Sequence, residues 1–177
     1  MGKINSLNLK IKRKKYSSKF LRITKNKNKV ICLGEVNLIN KNIIIGENVV
    51  IYPNVSFEGE GLIEIGNNVK IGTNSIIHAN KLGGIKIEDN TIIAGNCYII
   101  DSNHQIKKNK LIQKQGFDVE KVNIGSDVWI GANSVIIKGA KISNGAVIGA
   151  NSLVNNYIEE YAIAVGTPAK AIKYREE

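Results

Sequence analysis

Large aliphatic residues recur every six positions along most of this chain. From residue 124 the sequence reads IGSDVW, IGANSV, IIKGAK, ISNGAV, IGANSL and VNNYIE, with Ile or Val first and a mostly small residue fifth. Upstream the same period runs through Leu33, Ile39, Ile45 and Ile51, and it resumes in another phase at Ile65, Ile71 and Ile77 and then at Ile87, Ile93 and Ile99. An amphipathic helix, with a period near 3.6, and a simple strand, with a period of two, do not give this pattern.

A hexad predicts a short flat strand followed by a corner. The branched first residue points into a narrow prism, the small fifth residue fills the corner, and Gly or Asn takes backbone conformations that β-branched residues resist. Three hexads make one triangular coil, so Ile130 should stack on Ile148 and Ile124 on Ile142, about 4.8 Å apart. Hexapeptide periods are typical of parallel β-helices, and we therefore expect an all-β fold of that kind.

The period has its long interruption at Asp101-Ser102-Asn103-His104, and it resumes at Ile124 after a polar loop. In a β-helix the irregular places are where chemistry can be added, because packing occupies the regular corners. We expect His104, at the mouth of the loop, to act as a general base. Asp101, three residues earlier, would orient the imidazole and support its protonated form. The alternative is an exposed loop histidine without a catalytic role.

The net charge of +10 on 177 residues is concentrated at the N-terminus. Residues 1–34 hold eleven Lys and Arg and no acid, whereas the remainder holds 14 basic and 15 acidic residues. We therefore divide the chain into a basic N-terminal arm or atypical first coil, 1–32, and a β-helix domain, 33–177, with a loop insertion at 105–121. The arm is either solvated or in weak contact with an anionic membrane or a polyphosphate, and nucleic acid is unlikely because no aromatic reading surface accompanies the charge.

The apolar segments and the cysteines of the sequence bear on where the protein is located. No apolar run approaches the ~20 residues of a membrane span, and no apolar segment follows the basic N-terminus as in a signal peptide. The two cysteines, Cys32 and Cys97, form no CxxC motif, and Cys97 occupies a small-residue position where it should be buried and inert. We expect a cytoplasmic protein, with peripheral contact at the inner membrane face as an option.

The stretches WIGANSVIIKGAKISNGAVIGANSLV and AVGTPAKAIK resemble the C-terminal signature of the galactoside, maltose and serine acetyltransferase superfamily. The resemblance to these hexapeptide-repeat acyltransferases covers roughly residues 33–173. It implies a single-stranded left-handed parallel β-helix with a protruding loop and a short C-terminal cap. It also implies acetyl-CoA as donor and a homotrimer whose sites lie between two chains, with the loop 105–121 helping to wall the neighbouring site. In that family a His just before the loop is the base, which matches His104.

The resemblance also implies binding residues. His78-Ala79-Asn80 resembles a Tyr-Ala-Asn of the galactoside enzymes, which makes Asn80 a candidate acceptor contact and leaves His78 a surface or interface imidazole. Asn103 is a second candidate acceptor contact. The candidate donor-binding residues are Trp129, Ala132 and Ala150 (through their backbones), Asn155, Lys170 and Lys173. For Trp129 the alternative is ordinary packing against the next subunit, and for the two lysines it is solvation on a terminal cap. No metal is expected.

The function implied is acetyl transfer from acetyl-CoA to a hydroxyl of a saccharide, by direct attack, in surface polysaccharide or lipopolysaccharide assembly. A lipid-linked glycan would suit the basic arm. The alternatives are an N-acetyltransferase acting on an amino sugar and a non-catalytic β-helix that binds or scaffolds. A carbonic anhydrase of the same fold needs three histidines for zinc, and the chain has two.

Overall fold

The computed structural model describes residues 2–176, with side chains from residue 7 onward, as one helix, α1 (Gly2–Thr24), and a series of short strands. In chain order the strands are β1 (Val30–Cys32), β2 (Val36–Leu38), β3 (Ile43–Ile45), β4 (Val49–Ile51), β5 (Val55–Gly59), β6 (Leu62–Ile65), β7 (Lys70–Ile71), β8 (Ile76–Ala79), β9 (Gly84–Ile87), β10 (Ile92–Ile93), β11 (Tyr98–Ile100), β12 (Ser102–His104), β13 (Phe117–Val119), β14 (Val122–Ile124), β15 (Trp129–Ile130), β16 (Val135–Ile136), β17 (Lys141–Ile142), β18 (Val147–Ile148), β19 (Leu153–Val154), β20 (Tyr157–Ile158), β21 (Ala162–Gly166) and β22 (Ala169–Tyr174).

These strands build three faces of a solenoid. Face A contains β1, β4, β7, β10, β15, β18, β21 and β22; face B contains β2, β5, β8, β11, β16 and β19; face C contains β3, β6, β9, β14, β17 and β20. Each strand pairs in parallel with the strand one coil away, and only β21 with β22 and β12 with β13 are antiparallel among the described strands. The predicted all-β solenoid of stacked parallel coils is confirmed.

The core is a set of aliphatic ladders along the solenoid axis. Ile130 pairs with Ile148 and Ile124 with Ile142, as the hexad predicts. Small residues fill the corners: Ser134, Ala140, Ala146 and Ser152 are all buried. The outer turn of each corner is taken by residues such as Asn133, at φ 59°, since Asn tolerates the left-handed region.

The first coil departs from the expected phase. Leu33 and Ile39 were expected to point inward, but Cys32 pairs with Ile51 and Leu38 with Phe57. Ile39 is therefore 62% exposed, and its assignment to the core is wrong. The pairing with the second coil, rather than the spacing within the first, decides which residues face the interior.

The basic segment is ordered as α1, which packs over the open end of the first coil. Phe20 is buried against Phe57, with ring centroids 6.0 Å apart. The hydroxyl of Ser17 accepts a hydrogen bond from the backbone N–H of Cys32 at 2.9 Å. Lys25, at φ 56°, ends the helix, and β1 begins at residue 30. The first coil therefore starts within 1–32, the segment given as a basic arm or an atypical first coil. Within the described residues no helix is both long and apolar enough to cross a bilayer.

The interruption leaves the solenoid at the corner between faces B and C. β12 and β13 form an antiparallel hairpin there, with Asn103 opposite Asp118 and His104 opposite Phe117. A 3-10 turn, Ile112–Lys114, lies within the loop. At the other end, β22 folds back on β21 as a short C-terminal cap.

Candidate functional site

A groove of about 980 Å³ lies where the β12–β13 hairpin leaves face B. Its walls come from four successive coils and from the hairpin itself. The lining residues are Gly59, Glu60, His78, Asn80, Lys81, Tyr98, Ile100, Ser102, Asn103, His104, Ile106, Phe117, Val135 and Ile137. The groove therefore combines an aliphatic and aromatic floor with a small number of polar groups, the usual composition of a small-molecule site.

His104 ends β12 and is exposed at the edge of this groove. Its ring lies against Phe117, with centroids 4.6 Å apart and planes at 39°. Among the described residues neither imidazole nitrogen has a hydrogen-bond partner. Contact with Phe117 restricts the ring while leaving both nitrogens available, which is what a base that removes a proton from a bound ligand requires.

The structure gives Asp101 a different role from the one predicted. The side chain is fully buried, and its two oxygens accept hydrogen bonds from the backbone N–H groups of Asn80, at 2.8 Å, and Gly84, at 2.6 Å. It makes no hydrogen bond to His104. Desolvation raises the pKa of the Asp101 carboxyl, although these hydrogen bonds and the nearby His78 act in the opposite direction. Asp101 therefore holds the turn from Asn80 to Gly84 and does not orient the imidazole of His104.

The two predicted acceptor residues do lie with His104. The Oδ1 atom of Asn80 accepts a hydrogen bond from the backbone N–H of Leu82 at 3.1 Å, which fixes the side chain. The Nδ2 group of Asn80 has no partner in the part of the chain that the structure describes, so it can donate to a ligand. Asn103 is exposed on β12, one residue before His104. The groove thus gathers Asn80, Asn103 and His104 along one wall.

A second imidazole in the groove has a partner that the sequence analysis missed. His78 is half-buried, and its Nδ1 atom lies 3.5 Å from Oε2 of Glu58. The other oxygen of Glu58 accepts a hydrogen bond from the hydroxyl of Ser56 at 2.8 Å, and Asn37 donates to that hydroxyl at 3.0 Å. Glu58 pairs directly with His78 in the ladder from β5 to β8. The sequence signal for this pair was the separation of twenty residues between Glu58 and His78, which is the length of one coil in this part of the chain.

Two of the predicted donor-binding residues share the corner between faces A and B. Ala132 follows β15 and Ala150 follows β18, and the carbonyl of Ala132 accepts a hydrogen bond from the N–H of Asn151 at 2.9 Å. The N–H groups of Ala132 and Ala150 themselves have no partner among residues 2–176. They form a row of free donors one coil apart, suited to the carbonyls of an extended ligand.

The other predicted donor-binding residues are spread over the C-terminal coils. Trp129 lies on face A and is 54% exposed, so it does not contribute to the face B groove of its own chain. Lys170 and Lys173 are exposed on β22, at the end of face A. Asn155 is exposed at the corner that leads from face B to face C. Within one chain the structure does not bring these four residues together with His104.

Two segments of the chain match known protein families. Residues 121–156 match the family described as bacterial transferase hexapeptide (six repeats), and residues 63–100 match the hexapeptide repeat of succinyl-transferase. The two segments lie on either side of the β12–β13 hairpin, which is where the period is interrupted.

Two curated relatives come from Escherichia coli strain K12. The putative lipopolysaccharide biosynthesis O-acetyl transferase WbbJ is 34% identical over 123 residues, 65% of this chain and 62% of that protein. Galactoside O-acetyltransferase is 32% identical over 130 residues, 73% of this chain and 62% of that protein. The chain thus spans less than two thirds of the length of each relative.

Among solved structures, a D94A mutant of AntD, an N-acyltransferase from Bacillus cereus in complex with dTDP and coenzyme A, has a TM-score of 0.72 at 24% identity. The alignment covers 84% of this chain and 82% of that one. At this identity the likeness shows the shared fold. The repeat matches on both sides of the hairpin and the two curated relatives show that the chain belongs to the hexapeptide-repeat acyltransferase superfamily.

Proposed function

We propose that this protein transfers an acetyl group from acetyl-CoA to a hydroxyl of a saccharide, with His104 as general base. The observation that carries the proposal is the imidazole of His104, free of intramolecular hydrogen bonds, on the same groove wall as the amides of Asn80 and Asn103. A hydroxyl held by these amides lies within reach of a base, and positioning of this kind is a large part of catalysis.

The reaction is a direct displacement. A nitrogen of His104 takes the proton of the acceptor hydroxyl while the oxygen attacks the thioester carbonyl, and the tetrahedral intermediate then expels the CoA thiolate, which regains a proton from the imidazolium. A backbone N–H group stabilises the oxyanion, as in other acyl transfers. A covalent cysteine intermediate is disfavoured, because Cys32 and Cys97 are both buried and burial raises the pKa of both thiols.

The donor fits the corner between faces A and B. The free N–H groups of Ala132 and Ala150 suit the two amides of pantetheine, and Lys170 and Lys173 provide positive charge near the end of that corner for the nucleotide phosphates. The two alanines and the two lysines lie on coils that follow the coil of His104. The thioester would therefore approach the imidazole from the C-terminal side of the solenoid.

The site is completed by a second copy of the chain. Face A carries an outward row of apolar residues, in which Ile92 is 43% and Trp129 54% exposed, whereas the His104 groove lies on face B. Packing face A of one protomer on face B of the next buries this row and brings Trp129 of the neighbouring copy toward the groove. Three such heterologous contacts close a ring, and we therefore propose a homotrimer. Light scattering that finds an active monomer would remove the basis for this arrangement.

The proposed function is tested by measuring thiol release from acetyl-CoA with a panel of monosaccharides, oligosaccharides, amino sugars and lipid-linked glycans. Mass spectrometry and NMR of the product would locate the acetyl group. The proposal predicts a saccharide ester. An acetamide on an amino sugar would favour the N-acetyltransferase alternative, and thiol release no faster than hydrolysis with every saccharide would contradict the assigned activity.

A further inference from the structure

A second cavity, of about 620 Å³, adjoins the His104 groove on face B and extends toward α1. Nothing in the mechanism above uses it. Its walls come from the first three coils and the last turns of α1. The lining residues are Lys19, Ile23, Glu35, Val36, Asn37, Leu38, Asn54, Ser56, Glu58, Asn74 and Ile76.

The two cavities form one trough. In the face B ladder Ile76, which lines the second cavity, pairs with Tyr98, which lines the His104 groove. Glu58 belongs to the second cavity and its partner His78 to the groove, and their side chains are 3.5 Å apart. The Glu58–His78 pair therefore stands at the boundary between the two cavities, in a position to contact a ligand that spans both.

The order along the solenoid assigns the second cavity to the acceptor. The free N–H groups of Ala132 and Ala150 belong to coils after the coil of His104, whereas the second cavity belongs to coils before it. A donor lying along the C-terminal coils and an acceptor lying along the N-terminal coils meet at His104 from opposite sides. From β2 to β11 the acceptor side covers three strand spacings, about 14 Å.

The chemistry of the second cavity favours a neutral polyhydroxyl ligand. Asn37, Asn54 and Asn74 carry amides that both donate and accept hydrogen bonds. Each donates one N–H within the ladder, to Ser56, Asn74 and Asn96 respectively, and keeps a second N–H for a ligand. Among the lining side chains the one cation is Lys19, which lies 3.6 Å from Glu35, and Glu58 adds a second carboxylate. A pyrophosphate is normally held by arginines, unpaired lysines or a helix N-terminus, and two carboxylates with one paired lysine would repel it.

We infer that the second cavity is a subsite for a further sugar unit, so that the acceptor is a neutral oligosaccharide or polysaccharide end rather than a nucleotide-diphosphate sugar. The inference rests on the proposed function, since it takes the His104 groove as the place of transfer. Glu35 and Asn37 are exposed residues of this subsite. A substitution of Glu35 leaves the buried ladder intact, whereas a substitution of Asn37 also removes its hydrogen bond to the hydroxyl of the buried Ser56.

The experiment compares kcat/KM for sugars of increasing length, measured by thiol release. The probes are a set of monosaccharides, the neutral di- to tetrasaccharides that end in them, and the corresponding nucleotide-diphosphate sugars. We expect kcat/KM to be about tenfold or more higher for the oligosaccharide than for its terminal monosaccharide, the effect of one or two net hydrogen bonds. Asn37→Trp, which fills the subsite, and Glu35→Ala should each reduce this ratio, Asn37→Trp to near one.

The matched control is Asn123→Trp, which places the same side chain at an outward position on face C. It should leave the ratio unchanged. Equal kcat/KM for monosaccharide and oligosaccharide, an unchanged ratio in both subsite variants, or a nucleotide-diphosphate sugar used better than every neutral oligosaccharide would each overturn the inference while leaving acetyl transfer intact. Absence of transfer to any saccharide would instead overturn the proposed function, and the subsite with it.

Discussion

The carboxylate of Asp101 accepts a hydrogen bond from the backbone N–H of Asn80 at 2.8 Å, across one coil of the solenoid. Its other oxygen accepts from Gly84 at 2.6 Å. The residue at which the hexad period ends therefore fixes the turn that presents the Asn80 amide to the groove. If Asn80 contacts the acceptor as proposed, Asp101 acts on the reaction only by holding the Asn80 turn.

Asp101→Asn should destabilise the fold by about 2 kcal/mol. Asparagine offers one acceptor oxygen to two backbone donors and turns an NH₂ group toward the second, so a buried N–H loses its partner. Urea unfolding at neutral pH measures the change. The matched control is Asp118→Asn, at an exposed position on β13, which should stay within about 0.5 kcal/mol of the parent. Parent-like stability of Asp101→Asn would contradict the role assigned to these two hydrogen bonds.

His104→Ala should lower kcat by about 10²–10⁴, the usual contribution of a general base. Its ring is exposed and its intramolecular contact is the stacking on Phe117, so the unfolding free energy should change by no more than about 1 kcal/mol. Steady-state kinetics with an identified acceptor, together with thermal unfolding, measures both effects. Gln113→Ala, an exposed substitution in the same loop, is the control for general disturbance of the hairpin. Turnover by His104→Ala at the parent rate would refute the mechanism even though the fold is right.

Reversing the charges of Lys170 and Lys173 should weaken acetyl-CoA binding by tenfold or more, because two favourable contacts with the nucleotide phosphates become repulsive. Saturating acetyl-CoA at 100 times Kd adds about 2.7 kcal/mol to the unfolding free energy, so the thermal shift reports the loss. The matched control is the double reversal of Lys25 and Lys27, two exposed lysines that follow α1. Equal thermal shifts for both double variants would show that Lys170 and Lys173 are simply solvated.

Burial raises the pKa of the Cys32 thiol from 9.0 to about 12, against a hydrogen bond with Ser17 that acts in the other direction. A raised pKa in the folded state contributes stability that is complete below pH 9, the unfolded value, and is lost as the pH rises toward 12. At pH 10 the loss is about 1.4 kcal/mol, one pH unit above the unfolded pKa. The difference in unfolding free energy between the parent and Cys32→Ala should therefore shrink by that amount between pH 7 and pH 10. A difference that is independent of pH would contradict the burial of an uncharged thiol.

The six-residue period by itself was sufficient to predict the solenoid. Because each coil stacks on an equivalent coil, the local pattern and the long-range pattern are the same, and the pairing of Ile130 with Ile148 follows from residue spacing alone. The same regularity made the interruption visible, and with it His104. The family resemblance supplied Asn80, which the structure brings to the same groove as the other predicted acceptor residue, Asn103.

Tertiary structure decided the contacts between coils of unequal length. Among the described strands the first coil pairs on one side only, so the inward position of Leu38 and the exposure of Ile39 were set by pairing with β5. The sequence placed Asp101 three residues from His104, but its carboxylate bonds to Asn80, twenty-one residues earlier. The Glu58–His78 pair likewise spans a coil of twenty residues. The six-residue period predicts which side chains point inward. The partners of outward and corner side chains depend instead on the number of residues in each corner. Only the folded coils reveal that number.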